Sequence, residues 1–225
     1  MSTPPPNHER APDDAAMTEI PPMTPNPSPH TLGHRLTRLA WGAVQSTLFA
    51  WSPRPLFRWR AVLLNLFGAK LHPRARVYPR AKIWYPPNLT MGRNATIADH
   101  VDCYSVEPVT IGEGTTISQY SYLCGATHDF DDPGFPLVPM PITIGARVWI
   151  AADVFVSPGV TIGEGAVVGA RSSVFRDIEA WTVYAGSPAR ALRPRGFGPH
   201  APADEGTADK GIVDEATADE GTGAA

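Results

Sequence analysis

The chain has 225 residues, a formal charge of −3 at pH 7 and 43% hydrophobic residues, enough for one sizeable core and one main domain. Twenty-five prolines and twenty glycines exclude a helical bundle. Ten Lys or Arg residues and no acid lie between Thr31 and Lys82, whereas seven acids and one lysine follow Ala203; the basic run is either a surface that meets anions such as phosphates or membrane headgroups, or an ordinary solvated face.

In chain order, residues 1–30 hold nine prolines and no apolar period, and are expected to be disordered. Over 31–69 the sequence predicts two short amphipathic helices. The first carries Leu32, Leu36, Leu39, Ala43 and Val44 near helical spacing, with Thr31 as N-cap; the second is opened by Pro55 and closed by Gly68. Their apolar faces are expected to pack on the main domain, with arginines and tryptophans left for peripheral contact with the inner membrane surface. Arg35, Arg38 and Gln45 interrupt the first before it reaches the ~20 apolar residues of a span. The two cysteines, Cys103 and Cys124, are too few for a metal or disulfide framework. No secretory signal pattern opens the chain, so the cytoplasm is the expected compartment.

Residues 70–180 count in sixes. Ile144, Ile150, Val156, Ile162, Val168 and Val174 are evenly spaced by six, with Val148, Val154, Val160 and Ala166 in a second file. The same beat runs through Leu71, Val77, Ile83 and Leu89, then Met91, Ile97 and Cys103, then Ile111, Ile117 and Leu123. Neither helical nor simple strand periodicity sustains a count of six. A short strand plus a corner does, and three such units close one triangular coil. The predicted fold is mainly β, a parallel β-helix of roughly five coils stacked about ~4.8 Å apart. Residues 181–197 form a C-terminal segment that turns at Gly186 and Pro188 to lie back on the prism, and 198–225 form a low-complexity acidic tail.

One interruption stands out. Between Leu123 and Ile142 the beat gives way to CGATHDFDDPGFPLVPMP, where Pro133, Gly134, Pro136, Pro139 and Pro141 predict a loop over 124–141. His128 sits near its base, held by the coil yet exposed; long loops on rigid scaffolds often carry function.

The hexapeptide repeats, LCGATHDF with its loop, VWIAADVFVSPGVTIGEGAVVGARSSVFRDI and YAGSPAR together resemble the left-handed β-helix acyltransferases, most closely sugar O-acetyltransferases of the colanic-acid-biosynthesis type. The resemblance implies a left-handed coil, a homotrimer, acetyl-CoA as co-substrate and a saccharide acceptor, with no nucleic acid and no metal. It assigns His128 as general base for direct transfer, since a neutral imidazole can accept the proton of an attacking hydroxyl. It assigns backbone N–H groups around Ala151 and Ala152 to the thioester oxyanion, and Trp149, Gly169, Ala170, Arg176 and Arg190 to the cofactor. Trp149 and Arg176 also admit simple readings as packing and as a solvated corner. Ser105 and Asp129 are assigned to the acceptor. Ser105 stands where the galactoside and maltose type carries an aspartate, which argues against a galactoside acceptor.

Other classes make different demands. A γ-class carbonic anhydrase on the same prism needs several histidines gathered on one zinc, and none lies between His128 and His200. A non-catalytic scaffold would not need His128, the small residues after Trp149 and the late arginines. An N-acetyltransferase of an amino sugar nucleotide would use the same base and oxyanion donors, and differs only in the acceptor.

Overall fold

A computed structural model describes residues 31–198; the expectations for 1–30 and for nearly all of the acidic tail fall outside the described residues. The repeats build a three-sided prism of parallel strands. Face one stacks Lys70–Leu71, Leu89–Met91, Val109–Ile111, Ile142–Ile144 and Thr161–Ile162. Face two stacks Arg76–Val77, Thr96–Ile97, Thr116–Ile117, Trp149–Ile150, Val167–Val168 and Thr182–Ala185, with Arg190–Pro194 added antiparallel at its end. Face three stacks Lys82–Ile83, Asp102–Tyr104, Tyr122–Cys124, Phe155–Val156 and Ser173–Val174. Five full coils and part of a sixth result, one partial coil beyond the five expected.

In the first five coils each strand turns an apolar residue inward and leaves its neighbour at least partly open, so Ile97, Ile117, Ile150 and Val168 stack in register along face two, all fully buried. A fully buried aliphatic side chain contributes about 1.5–3 kcal/mol, and the in-register files make one continuous core. Thr115 and Ser121 lie buried at corners and stitch successive coils. The Thr115 hydroxyl donates to the Gly145 carbonyl (2.6 Å) and accepts from Val148 N–H (3.0 Å); that of Ser121 donates to the Ala151 carbonyl (3.0 Å).

A β-helix ends in unpaired backbone groups on every face, and the helical segment supplies their partners. α1 runs Leu32–Val44, continues as a π-helical turn over Gln45–Phe49, and is followed by α2, Phe57–Leu66. On face one the Asn65 side-chain amide exchanges two hydrogen bonds with the backbone of Leu71 (2.8 and 3.2 Å). On face two Arg60 Nε donates to the Val77 carbonyl (2.6 Å). On face three Trp41 Nε1 donates to the Ile83 carbonyl (2.6 Å), while Ile83 N–H donates to Gln45 Oε1 (3.0 Å). Thus one side chain or pair of side chains closes each face of the first coil.

This capping corrects the expected orientation of α1. Its leucines do not face the prism: Leu32, Leu36 and Leu39 are exposed, and Trp41 is buried in their place. The opposite stripe packs inward, with His34 stacked on Tyr85 and Arg38 over Trp84. A strand edge needs donors and acceptors, which leucine cannot provide, so the aromatic and polar side wins the contact.

Arg60, one of the ten cations read as surface, is fully buried. It donates also to Ser52 Oγ (2.8 Å) and to the carbonyls of Pro53 (2.9 Å) and Arg54 (2.5 Å). Burial pushes its guanidinium below the usual arginine value, with Asp99 acting in the opposite sense. Arg60→Met keeps the apolar stem and removes all four hydrogen bonds. The expected cost is about 2–4 kcal/mol, read as a lower denaturant midpoint with an unchanged slope.

Candidate active site

The prism has three edges, and most of the candidate residues fall on two of them, with Trp149 on face two and Arg190 in the strand Arg190–Pro194. The segment 124–141 leaves the edge between faces three and one, and it is more ordered than a proline-rich loop: Ala126–His128 pairs antiparallel with Leu137–Pro139, His128 opposite Leu137. Prolines are tolerated here because a two-stranded ribbon leaves outer N–H positions unpaired. At its base the close approach of two coils requires Gly125, whose N–H donates to the Tyr104 carbonyl (3.0 Å); a Cβ there would collide with that carbonyl oxygen.

His128 is exposed, with its ring stacked on Phe135 (centroids 4.2 Å apart) and Nδ1 2.9 Å from the Phe135 carbonyl. A carbonyl can only accept, so this contact places the proton on Nδ1 and leaves the Nε2 lone pair open. The hairpin turn aims that carbonyl: Phe135 adopts φ 46°, and its N–H donates to the Asp132 carbonyl (2.8 Å). Asp129 lies beside His128, but one carboxylate oxygen accepts from Asp131 N–H (3.1 Å) and so helps to close the turn.

Ala151 and Ala152 lie on the edge between faces two and three. The two are not equivalent. Ala151 N–H donates to the Val168 carbonyl (2.9 Å), whereas Ala152 N–H has no hydrogen-bond partner among the described residues. Of the two expected oxyanion donors, Ala152 is the available one. Gly169 and Ala170 follow one coil later on this edge, where Arg171 N–H donates to the Ala152 carbonyl (2.9 Å). Gly169 has a packing role as well, since its Cβ would press on Ala185 at 2.9 Å. Trp149 sits on face two rather than at a corner, half exposed, with Nε1 donating to Ser118 Oγ (3.1 Å).

Arg176 and Arg190, distant in sequence, line one cleft of about 430 Å³ at the C-terminal end of the prism, together with Tyr184 and Pro188. Both guanidinium groups are on exposed residues, an arrangement suited to phosphate.

Ser105 does not reach a site. It is fully buried, and its hydroxyl donates to the Tyr85 carbonyl and accepts from Tyr85 N–H, each at 3.0 Å. Its position inside the wall corrects the expectation that it contacts the acceptor: the hydroxyl stitches two corners as Thr115 and Ser121 do.

Sequence reasoning missed a cleft of about 850 Å³ on the same edge as Ala152 but nearer the N-terminus. Arg54, Arg80, Asp99, His100, Gln119 and Tyr120 line it. His100 and Tyr120 stack in parallel (4.9 Å), each with positive φ, and the Asp99 carboxylate accepts from Arg54 (2.6 Å) and from Arg80 N–H (3.1 Å). The six-residue phase places these residues at successive corners; what the sequence does not reveal is that Arg54 of the helical segment closes the cleft.

The three histidines nearest the prism corners stand on three separate edges, His72 after face one, His100 after face two and His128 after face three. Among the described residues no group of three His, Cys, Asp or Glu side chains is gathered to hold a metal ion. Cys103 is fully buried, and burial pushes its thiol up to about 12. It is expected to resist Ellman's reagent in the folded protein and to react only after unfolding, which a thiol titration with and without denaturant reads directly.

Residues 141–176 match the family described as bacterial transferase hexapeptide (six repeats). The chain is 50% identical over 163 residues to a colanic acid biosynthesis acetyltransferase, WcaF, of Escherichia coli K12, covering 72% of this chain and 90% of that one. Among solved structures it is similar to a hexapeptide-repeat acetyltransferase from Vibrio cholerae complexed with acetyl coenzyme A (TM-score 0.65, 27% identity, 73% of this chain and 90% of that one). It is also similar to a galactoside acetyltransferase in complex with coenzyme A (TM-score 0.61, 28% identity, 74% and 84%). With its in-register repeats, its interrupting hairpin and these relatives, the chain belongs to the hexapeptide-repeat acyltransferases, enzymes built on a left-handed parallel β-helix.

Proposed function

We propose that the protein transfers an acetyl group from acetyl-CoA directly to a hydroxyl of a saccharide, in exopolysaccharide biosynthesis of the colanic-acid kind and in the cytoplasm, where the acetyl donor is available. The observation that carries the chemistry is the Nδ1 contact of His128 with the Phe135 carbonyl, which leaves Nε2 free to act as base. Nε2 takes the hydroxyl proton as the oxygen attacks the thioester carbonyl. The carbon–sulfur bond then breaks, and the imidazolium returns the proton to the departing thiolate, so no acyl-enzyme is required. Ala152 N–H stabilises the oxyanion of the tetrahedral adduct. The Arg176–Arg190 cleft receives the phosphates of the donor, and the small residues Gly169 and Ala170 let its arm lie along the edge. The saccharide occupies the cleft of Arg80, His100 and Tyr120, where the stacked rings offer a face to a sugar ring, and Asp129, next to the base in sequence, comes to it from a neighbouring copy.

The site is shared between copies of the chain. His128 and Ala152 stand on different prism edges, so one protomer supplies the base and its neighbour the oxyanion donor, as a closed homotrimer allows. Support for the acetyl donor and the saccharide comes from the relatives' bound ligands and names. The test is thiol release from acetyl-CoA by the wild type across nucleotide sugars, lipid-linked saccharides, oligosaccharides and amino sugars. Release stimulated by a hydroxyl acceptor bears the proposal out; stimulation by amino sugars alone makes it an N-acetyltransferase. Tight acetyl-CoA binding would separate an incomplete acceptor panel from a scaffold that binds no donor.

A further inference from the structure

The capping of the prism by α1 and α2 leaves their other side open. In α1 and the turn that continues it the inward stripe is His34, Arg38, Trp41 and Gln45. Leu32, Leu36 and Leu39 occupy the opposite side, at 73%, 57% and 74% exposure. In α2, Arg60, Ala61, Leu63 and Leu64 are buried, while Trp59, Val62 and Leu66 project outward. Between the helices Leu48, Trp51, Pro53, Leu56 and Trp59 line an apolar hollow of about 500 Å³, with Trp51 86% exposed. Scattered exposed leucines need no explanation, but three exposed apolar elements that follow one another along a capping unit, the last two sharing Trp59, do.

Charge decides what covers them. Arg35 and Arg58 are exposed on the same two helices, and the whole stretch from Thr31 to Lys82 contains no acid. Isologous pairing with a second copy would set these arginines against their own equivalents, with no carboxylate in the stretch to answer them. An amphipathic helical surface with leucine and tryptophan flanked by arginine matches instead the boundary between headgroups and acyl chains of an anionic bilayer. No helix among the described residues is long and apolar enough to cross a membrane, so contact is confined to the surface.

We propose that the outer face of α1, the turn around Trp51 and α2 docks on an anionic lipid bilayer. Ser52 and Arg54, next to Trp51, line the large cleft between faces two and three. Docking therefore brings that cleft to the bilayer, and, on the acetyl-transfer reading, presents it to a saccharide carried on a lipid. The docking itself stands independently of that reading.

The full chain is to be sedimented with phosphatidylglycerol-containing vesicles and with pure phosphatidylcholine vesicles. The wild type is expected to bind the anionic vesicles preferentially, and less as salt is raised. Leu36→Ser/Leu39→Ser/Trp51→Ser is expected to weaken binding by at least ~tenfold, and Arg35→Gln/Arg58→Gln by about fivefold for each charge removed. These side chains are exposed, so the melting temperature and thiol release with a soluble acceptor should stay at wild-type values. Equal binding to both vesicle types, or unimpaired binding by both variants, overturns the proposal. A fall in oligomer mass of the triple variant by light scattering also overturns it, and assigns the face to a contact between copies. Loss of acetyl transfer with vesicle binding intact would count against the enzymatic reading alone.

Discussion

His128→Ala is expected to lower kcat for acetyl transfer by ~10²- to 10⁴-fold, the range associated with a positioned general base, while acetyl-CoA binding stays close to wild type. Its ring is held by the hydrogen bond to the Phe135 carbonyl and by stacking on the Phe135 ring, and it is exposed, so its removal leaves no buried void. The hairpin keeps its own backbone pairing, its Asp129 and Asp132 turns and the Gly125 corner. Stability should therefore be unaffected, which separates loss of a base from loss of a fold. Single-turnover thiol release under saturating acetyl-CoA, alongside donor affinity by calorimetry, measures both parts. A drop below about tenfold with wild-type stability would remove His128 from the role of base.

The count of six makes the prism legible, because nearly every inward position carries an apolar residue and departures from it mark a corner or an insertion. It also ties each corner to an edge, so Ala152, Gly169 and the His100–Tyr120 pair fall on one line by phase alone. Three things are hidden. The orientation of α1 depends on which backbone groups the first coil leaves unpaired, and Trp41, Gln45, Arg60 and Asn65 reveal their roles only against Ile83, Val77 and Leu71. A hydrophobic stripe is ordinarily the buried side of a helix, and here the demand for hydrogen bonds at a strand edge overrides it. Likewise, sequence cannot distinguish a hydroxyl that stitches coils from one that meets a ligand, and Ser105 is of the first kind. The hairpin of 126–139 reads as irregular because its prolines suggest interruption, yet only three residue pairs are needed to form it.

Ala152→Pro should be nearly as severe as loss of the base, and it tests the shared site. Ala152 is followed by Asp153 at φ 60°, the arrangement of a turn that accepts proline before its positive-φ residue; Pro158 before Gly159 (φ 77°) already does so in this chain. The substitution therefore fits the backbone and deletes one N–H that no described group uses. Loss of one oxyanion donor is expected to reduce kcat by about 10²- to 10³-fold, with little change in melting temperature. Because His128 and Ala152 lie on different edges, co-expressing His128→Ala with Ala152→Pro under separate tags gives a sharper outcome. In a randomly assembled ring a site is intact when the protomer offering the base comes from the Ala152→Pro parent, which keeps its histidine, and its neighbour comes from the His128→Ala parent, which keeps its donor N–H. That coincidence restores about a quarter of wild-type activity in the unsorted mixture and about a third in rings that contain both parents, where one interface of the three has this arrangement. If each protomer instead held a complete site, every mixed ring would remain as inactive as the parents, since no protomer carries both groups. Recovery in doubly purified mixed rings would thus fix the base and the oxyanion donor on opposite sides of one interface, a result that neither single variant can supply.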